Sequence, residues 1–171
     1  MTSSSGRFRS IYGGTQRWLR TGSPDSDSSR SVTYAELERR TRSLAAYLTR
    51  TGLRRGDRVA VCLGDCVEMV DSCLAVPRAG MVGVPLDPRS SDAELAHFLQ
   101  DSDAAFVITD AAHLARLRRL GPPYDRLGVG SAEIDMLGLD DPSWMLHTSG
   151  TTHRPKGVLS TQRAALWSVA A

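Results

Sequence analysis

The sequence predicts an α/β fold with a largely parallel sheet that helices cover on both faces. Two observations lead to this prediction. From Val32 onward, short apolar runs of strand length alternate with longer segments of helical periodicity. The apolar runs also lack the regular polar residues of a strand with one solvated face, so they indicate strands that are buried on both sides.

The first helix is predicted over residues 34–50. Thr33 and Glu36 have the spacing of a capping box, and Gly52 is placed to end the helix. Five apolar side chains share one face of this helix: Tyr34, Leu37, Leu44, Ala45 and Leu48. The pattern is typical of a helix that packs one side against a sheet.

The later elements follow from the same patterns. Ser91 and Glu94 repeat the capping-box spacing. Pro77 counts against the last turn of the second helix, because proline lacks an N–H and clashes with the preceding turn. Residues 124–140 are ambiguous, with a short strand near 127–129. Strands are predicted over 59–63, 81–85, 105–109 and 144–148, and helices over 68–79, 92–101 and 111–120.

The two ends of the chain differ from this body. Residues 1–31 are predicted to be a flexible leader, because Ser, Gly and Asp in its later part leave little apolar surface to bury. Residues 32–171 form the predicted α/β unit. Residues 164–171 are typical of the interior of an apolar helix and carry no stop signal, so the chain is expected to break off within an element.

Composition excludes several classes of protein. The 171 residues include 21 basic and 19 acidic side chains, a net charge of +2 that gives no electrostatic reason to expect a nucleic-acid partner. No apolar run reaches the roughly 18 residues of a membrane span. Residues 1–30 lack the apolar core of a secretory signal, so the expected location is the cytoplasm. Three cysteines, an odd number, argue against a disulfide framework.

The densest group of reactive side chains lies in Thr148–Gly157, directly after a predicted strand. Hydroxyls and backbone amides donate to phosphate oxygens, glycine admits a close approach, and an ammonium neutralises charge. Lys156 is the single lysine among the 21 basic residues. The segment is not a Walker A loop, since Pro155 and Gly157 stand where that motif needs Gly and Ser or Thr. On composition alone, an ordinary surface loop remains the alternative.

The run from Thr148 to Val158 reads T-S-G-T-T-H-R-P-K-G-V and resembles the phosphate loop of adenylate-forming enzymes. This superfamily includes acyl-CoA synthetases, adenylation domains of nonribosomal peptide synthetases, and luciferases. Two further stretches agree in order and spacing: Val32–Leu37, and Leu74–Gly80 leading into Val84–Pro88. The resemblance covers residues 32–171. It implies that the α/β unit is part of the large N-terminal domain of such an enzyme, and that this part is incomplete.

The resemblance also implies a chemistry. Such enzymes use ATP, with Mg²⁺, to convert a carboxylic acid to an acyl-adenylate and pyrophosphate. They then transfer the acyl group to coenzyme A or to the pantetheine of a carrier protein, and some serve polyketide or nonribosomal peptide biosynthesis. The positions that carry over to phosphate binding are Thr148, Ser149, Gly150, Thr151, Thr152 and Lys156.

This chain departs from the family pattern. His153 stands where glycine is usual, and His147 stands where an aromatic residue, commonly Tyr, is usual. Later motifs of the family supply a magnesium-binding acid, a ribose-binding Asp, the acyl pocket and a distal Lys, and nothing in residues 1–171 stands for them. The resemblance therefore implies no catalytic and no metal-binding residue here, and the chain alone is expected to be inactive. The alternative is a truncated, non-catalytic relative that binds at most a phosphate or a protein.

The other candidate residues have structural interpretations. The three cysteines, Cys62, Cys66 and Cys73, lack paired C-x-x-C spacing and are predicted to be buried structural thiols. His97 and His113 are predicted on helices, at or near the surface. The carboxylates Asp65 and Glu68, and Asp140 and Asp141, are predicted to belong to a turn and a helix N-terminus.

Overall fold

Helices and strands alternate along the chain as far as the fourth strand, as predicted. The structure is a computed structural model and describes residues 32–120, 138–148 and 155–164. Its helices are α1 (Tyr34–Arg50), α2 (Val67–Arg78), α3 (Asp92–Asp101) and α4 (Ala111–Leu120). Its strands are β1 (Arg58–Cys62), β2 (Val82–Leu86), β3 (Phe106–Thr109), β4 (Pro142–Thr148) and β5 (Lys156–Thr161).

The strands form one sheet in the order β3-β1-β2-β4-β5. The first three pairings are parallel, which confirms the largely parallel sheet. The fourth pairing is antiparallel, and β5 was not predicted. Its sequence, K-G-V-L-S-T, has only two apolar residues, so no buried run marks it. It exists because its backbone pairs with β4 across the loop.

Alternate residues of the strands separate two apolar cores. Val59 and Val61 point into a core that includes Leu48 of α1 and Val76 of α2. Their neighbours on β1, such as Ala60, belong to a second core, which α3 and α4 complete. Because side chains alternate along a strand, the sheet is covered on both faces at β1, β2 and β3, as the sequence predicted, whereas most of β5 is exposed.

Side-chain caps fix where two helices begin. Thr33 Oγ1 accepts a hydrogen bond from the Glu36 amide at 3.2 Å, at the start of α1. At the start of α3, Ser91 Oγ accepts from the Glu94 amide at 3.3 Å, and the Glu94 carboxylate accepts from the Ser91 amide at 2.8 Å. The second arrangement is a complete capping box, so that prediction is confirmed.

The expectation that Pro77 disfavours the last turn of α2 was wrong. The helix runs through Pro77 to Arg78. The proline removes a single backbone donor, and the next turn still closes, because the Ala79 amide donates to the Ala75 carbonyl at 3.0 Å. Gly80, at φ 77°, then ends the helix while its amide bonds to the Pro77 carbonyl at 2.8 Å.

A close contact joins β2 to β4 and supports a first prediction. Gly83 lies opposite Trp144, and a Cβ added to Gly83 would lie 2.5 Å from Cζ3 of the indole. Gly83→Ala is therefore expected to lower the free energy of unfolding by about 1–3 kcal/mol through overpacking. Gly64→Ala is the control, since a Cβ there meets no atom within 4 Å. Urea unfolding of both variants checks this, and equal losses would contradict it.

Several predicted segments lie outside the described residues. These are the leader 1–31, the ambiguous region near 127–129 and nearly all of the apolar segment 164–171. Among the described residues, no helix combines the length and apolar character needed to cross a membrane.

Candidate phosphate-binding site

The candidate loop leaves the sheet at the carboxyl edge of its parallel strands. Strands β1, β2, β3 and β4 run in the same direction, so their carboxyl ends meet at one edge. In open α/β sheets this edge is where ligands bind. Thr148 ends β4 there, and Lys156 begins β5. The structure therefore holds both ends of the predicted loop at the edge where a phosphate site is expected.

Of the six predicted phosphate-binding residues, two lie within the described parts of the chain. Thr148 and Lys156 are direct partners across the β4–β5 pair, and the Thr148 hydroxyl donates to the Lys156 carbonyl at 3.5 Å. The other four, Ser149, Gly150, Thr151 and Thr152, lie outside the described residues. The pairing brings the two ends of the motif side by side.

Strands β4 and β5 form an antiparallel hairpin, and Thr148 and Lys156 place a hydroxyl and an ammonium on the same face of it. Directly opposed residues of an antiparallel pair point to one side, and both residues are exposed. Within the described ranges, Lys156 has no carboxylate in ion-pair distance. A solvent-facing cation without an acidic partner is suited to an anionic ligand.

The opposite face of the hairpin packs on α3. His147 Nε2 donates to Asp101 Oδ2 at 3.2 Å, and the His147 ring packs on Phe98 with centroids 4.6 Å apart. His97 Nε2 lies 3.0 Å from the Pro155 carbonyl oxygen. His147, where the family usually has an aromatic residue, commonly Tyr, therefore makes both a ring contact and a hydrogen bond with α3. Sequence reasoning placed His97 on a helix surface and missed its contact with the loop.

The cysteines are structural, as predicted, although two of them are only half-buried. Cys62 is fully buried, and burial raises the pKa of its thiol to about 12. Burial also raises the pKa of Cys66 and Cys73. Thiols with raised pKa values stay protonated near neutral pH and make poor nucleophiles. All three are free cysteines.

The carboxylate pairs also have structural roles. Asp141 accepts from the Gly138 amide in a turn, and Asp140 pairs with Arg163 at 2.9 Å. Glu68 lies in the first turn of α2, where the sequence predicted it. Among the described residues, no three His, Cys, Asp or Glu side chains are grouped to hold a metal ion.

One buried charge cluster escaped the sequence analysis. Arg40 of α1 contacts both Glu68 and Asp71 of α2, and all three side chains are at most 10% exposed. Arg40 lies 28 positions before Glu68 and 31 positions before Asp71 in the sequence, so no local sequence pattern predicts the contact. The cluster joins the two helices and lies apart from the loop.

An open groove of about 630 Å³ lies along α1 and α2. Near β5, its lining among the described residues is Gln162, which follows the end of that strand opposite to Lys156. Arg78 hydrogen bonds lower the pKa of Glu38 to about 2, so the acid and the base in this groove neutralise each other. The groove is lined by Tyr34, Leu37, Glu38, Thr41, Leu74, Arg78 and Gln162.

Comparison with known proteins gives the family. The family model for "AMP-binding enzyme" matches residues 17–171. The naringenin synthase of Pestalotiopsis fici is 41% identical over 168 residues, which cover 81% of this chain and 6% of that protein. A feruloyl-CoA synthase of an Amycolatopsis species is 38% identical over 146 residues, which cover 81% of this chain and 30% of that protein. The chain thus spans less than a third of these two relatives.

A solved structure has the same fold. The O-succinylbenzoate coenzyme A synthetase of Bacillus subtilis, in complex with AMP, superposes with a TM-score of 0.70 at 29% identity. The match covers 84% of this chain and 39% of the synthetase. This likeness confirms the predicted fold, an incomplete part of the N-terminal domain of an adenylate-forming enzyme. The chain belongs to the family of AMP-binding enzymes, which includes acyl-CoA synthetases and adenylation domains.

Proposed function

We propose that this chain is the N-terminal segment of an ATP-dependent acid–thiol ligase. The enzyme would join a carboxylic acid to the α-phosphate of ATP, releasing pyrophosphate, and then transfer the acyl group to a thiol, releasing AMP. The observation that carries the proposal is the position of Thr148 and Lys156, paired at the carboxyl edge of the parallel strands. Membership of the AMP-binding family supports it.

The loop's part in this reaction is to bind the β- and γ-phosphates of ATP. We assign this to Thr148, Ser149, Gly150, Thr151, Thr152 and Lys156. The residues present fit a polyphosphate, because the Lys156 ammonium is an exposed cationic donor and the exposed Thr148 side chain lies on the same face. Donors held in place as pyrophosphate leaves stabilise the charge that develops on it.

The described residues do not provide a magnesium site at the loop. The Asp101 carboxylate contacts the hairpin, but it accepts a hydrogen bond from His147 on the face opposite Lys156. We therefore assign no step to a metal held by this chain. Mg²⁺ would arrive with ATP and be held by other parts of the enzyme.

The thiol acceptor would be coenzyme A or the pantetheine of a carrier protein. The feruloyl-CoA synthase supports the first, and the nonribosomal peptide synthetase NPS2 of Ceriporiopsis subvermispora, 31% identical over 160 residues, supports a peptide-synthetase setting. The acid pocket and the acceptor site would lie in segments beyond this chain. For that reason, we expect the 171-residue chain alone to form no acyl-adenylate.

A chimeric enzyme tests this proposal. Residues 32–171 replace the matching segment of the Amycolatopsis feruloyl-CoA synthase, and acid-dependent exchange of labelled pyrophosphate into ATP is measured. We expect exchange by the chimera, none by the 171-residue chain, and a loss of roughly 10²-fold in the chimera with Lys156→Ala. A folded chimera without exchange, or exchange that is unaffected by Lys156→Ala, would contradict the proposed function.

A further inference from the structure

Helix α3 contacts both ends of the candidate phosphate loop. His97 reaches the residue before Lys156, since its Nε2 lies 3.0 Å from the Pro155 carbonyl oxygen. A carbonyl oxygen only accepts, so His97 must carry its proton on Nε2 and donate it. This hydrogen bond spans 58 residues of sequence and ties the start of β5 to α3.

His147 makes the corresponding contact at the other end of the loop, one residue before Thr148. Its Nε2 donates to the Asp101 carboxylate, its ring packs on Phe98, and its side chain is 5% exposed. The second ring nitrogen, Nδ1, is buried without a hydrogen-bond partner among the described residues. The His147 ring is therefore held between β4 and α3 by one hydrogen bond and one ring contact.

The fit between α3 and the hairpin is tight. A Cβ on Gly157 would lie 3.0 Å from Met145 Sδ and 3.3 Å from Asp101 Oδ2. Gly157 pairs with His147, so the two residues face α3 together, while their neighbours Thr148 and Lys156 face the other way. One face of the hairpin is held by the helix, and the other presents the hydroxyl and the ammonium.

We propose that His97 and His147 are positioning residues that hold the two ends of the phosphate loop against α3. Neither touches the phosphate. Each fixes the backbone beside a residue that does, which lowers the conformational freedom that the loop loses on binding. The ligand in this inference, a polyphosphate, rests on the proposed function. The contacts of the two histidines with the hairpin and α3 do not depend on it.

The test compares variants that separate hydrogen bonding from packing. His97→Leu removes the donor and keeps an apolar side chain, whereas His97→Gln keeps an N–H that can reach the Pro155 carbonyl. His147→Phe keeps the ring on Phe98 and removes the donor to Asp101. The matched control is His113→Leu, because His113 of α4 has a similar contact with Asp110, the residue before that helix, away from the hairpin.

Two readouts are measured on the 171-residue chain: amide hydrogen exchange of Thr148 and of residues 156–158, and affinity for inorganic pyrophosphate. We expect His97→Leu to speed exchange there by about fivefold, the size of one neutral hydrogen bond, and His147→Phe by about tenfold or more, because its acceptor is a carboxylate. Pyrophosphate affinity should fall by a similar factor. His97→Gln should restore both values to within about twofold, and His113→Leu should change neither.

The outcomes decide between positioning and packing. Unchanged exchange in both His97→Leu and His147→Phe overturns the inference, as does a failure of His97→Gln to rescue or an equal effect of His113→Leu. If His97→Leu does not fold, His147→Phe, which removes a hydrogen bond, can still be compared with His97→Gln, which keeps one. If the unmodified chain binds no pyrophosphate, the proposed function fails, and hydrogen exchange alone decides whether the histidines position the loop.

Discussion

Replacing Arg40 with alanine is expected to lower the free energy of unfolding by about 3–5 kcal/mol, because the change removes the guanidinium that contacts two buried carboxylates. Arg40 Nε donates to Asp71 at 2.8 Å, and Nη2 lies 3.3 Å from Glu68. The carboxylate side chains are only 4% and 5% exposed. Without the guanidinium, each would be desolvated beside a like charge. Urea unfolding monitored by circular dichroism measures the loss.

Arg42→Ala is the matched control on the same helix. Arg42 pairs with Glu38 at 3.3 Å, but both side chains are more than half exposed. Solvent screening keeps such a pair within about 1 kcal/mol. If Arg40→Ala and Arg42→Ala lower the free energy of unfolding equally, burial does not strengthen the effect of removing Arg40, and the prediction is wrong. Replacing Arg40, Glu68 and Asp71 together with apolar residues should recover much of the stability, since no buried charge then remains.

Lys156→Ala is expected to weaken pyrophosphate binding by about 10- to 100-fold, the range for one hydrogen bond to a charged group. The free energy of unfolding should change by no more than about 0.5 kcal/mol, because the side chain is exposed and has no carboxylate partner within the described ranges. Lys156→Arg keeps the charge and should retain most of the affinity. The affinities come from NMR titration of the 171-residue chain with pyrophosphate.

Much of the fold was predictable because its signals are local. The capping box of Ser91 and Glu94 fixed the start of α3, and α4 runs over Ala111–Leu120, as its pattern predicted. The apolar runs gave β1 to β3 within a residue or two of their observed ends. β5 was missed because its residues are mostly exposed and its stability comes from pairing with β4.

The candidate site was predictable only in part. The motif identified Thr148 and Lys156, and the alternation of strands and helices predicted a parallel sheet with a ligand edge. The contacts of His97 with Pro155 and of His147 with Asp101 span 58 and 46 residues. Such contacts depend on how α3 packs against the hairpin. Contacts between residues so far apart in the sequence produce no local pattern from which they could be predicted.

The most direct test of a polyphosphate site in this chain is the location of the NMR shift changes during that titration. We predict saturable changes concentrated at Thr148, Lys156 and the residues between them, and their loss in Lys156→Ala. Changes along the groove near Tyr34 and Arg78, or no saturable change at all, would contradict a phosphate site in the loop between β4 and β5.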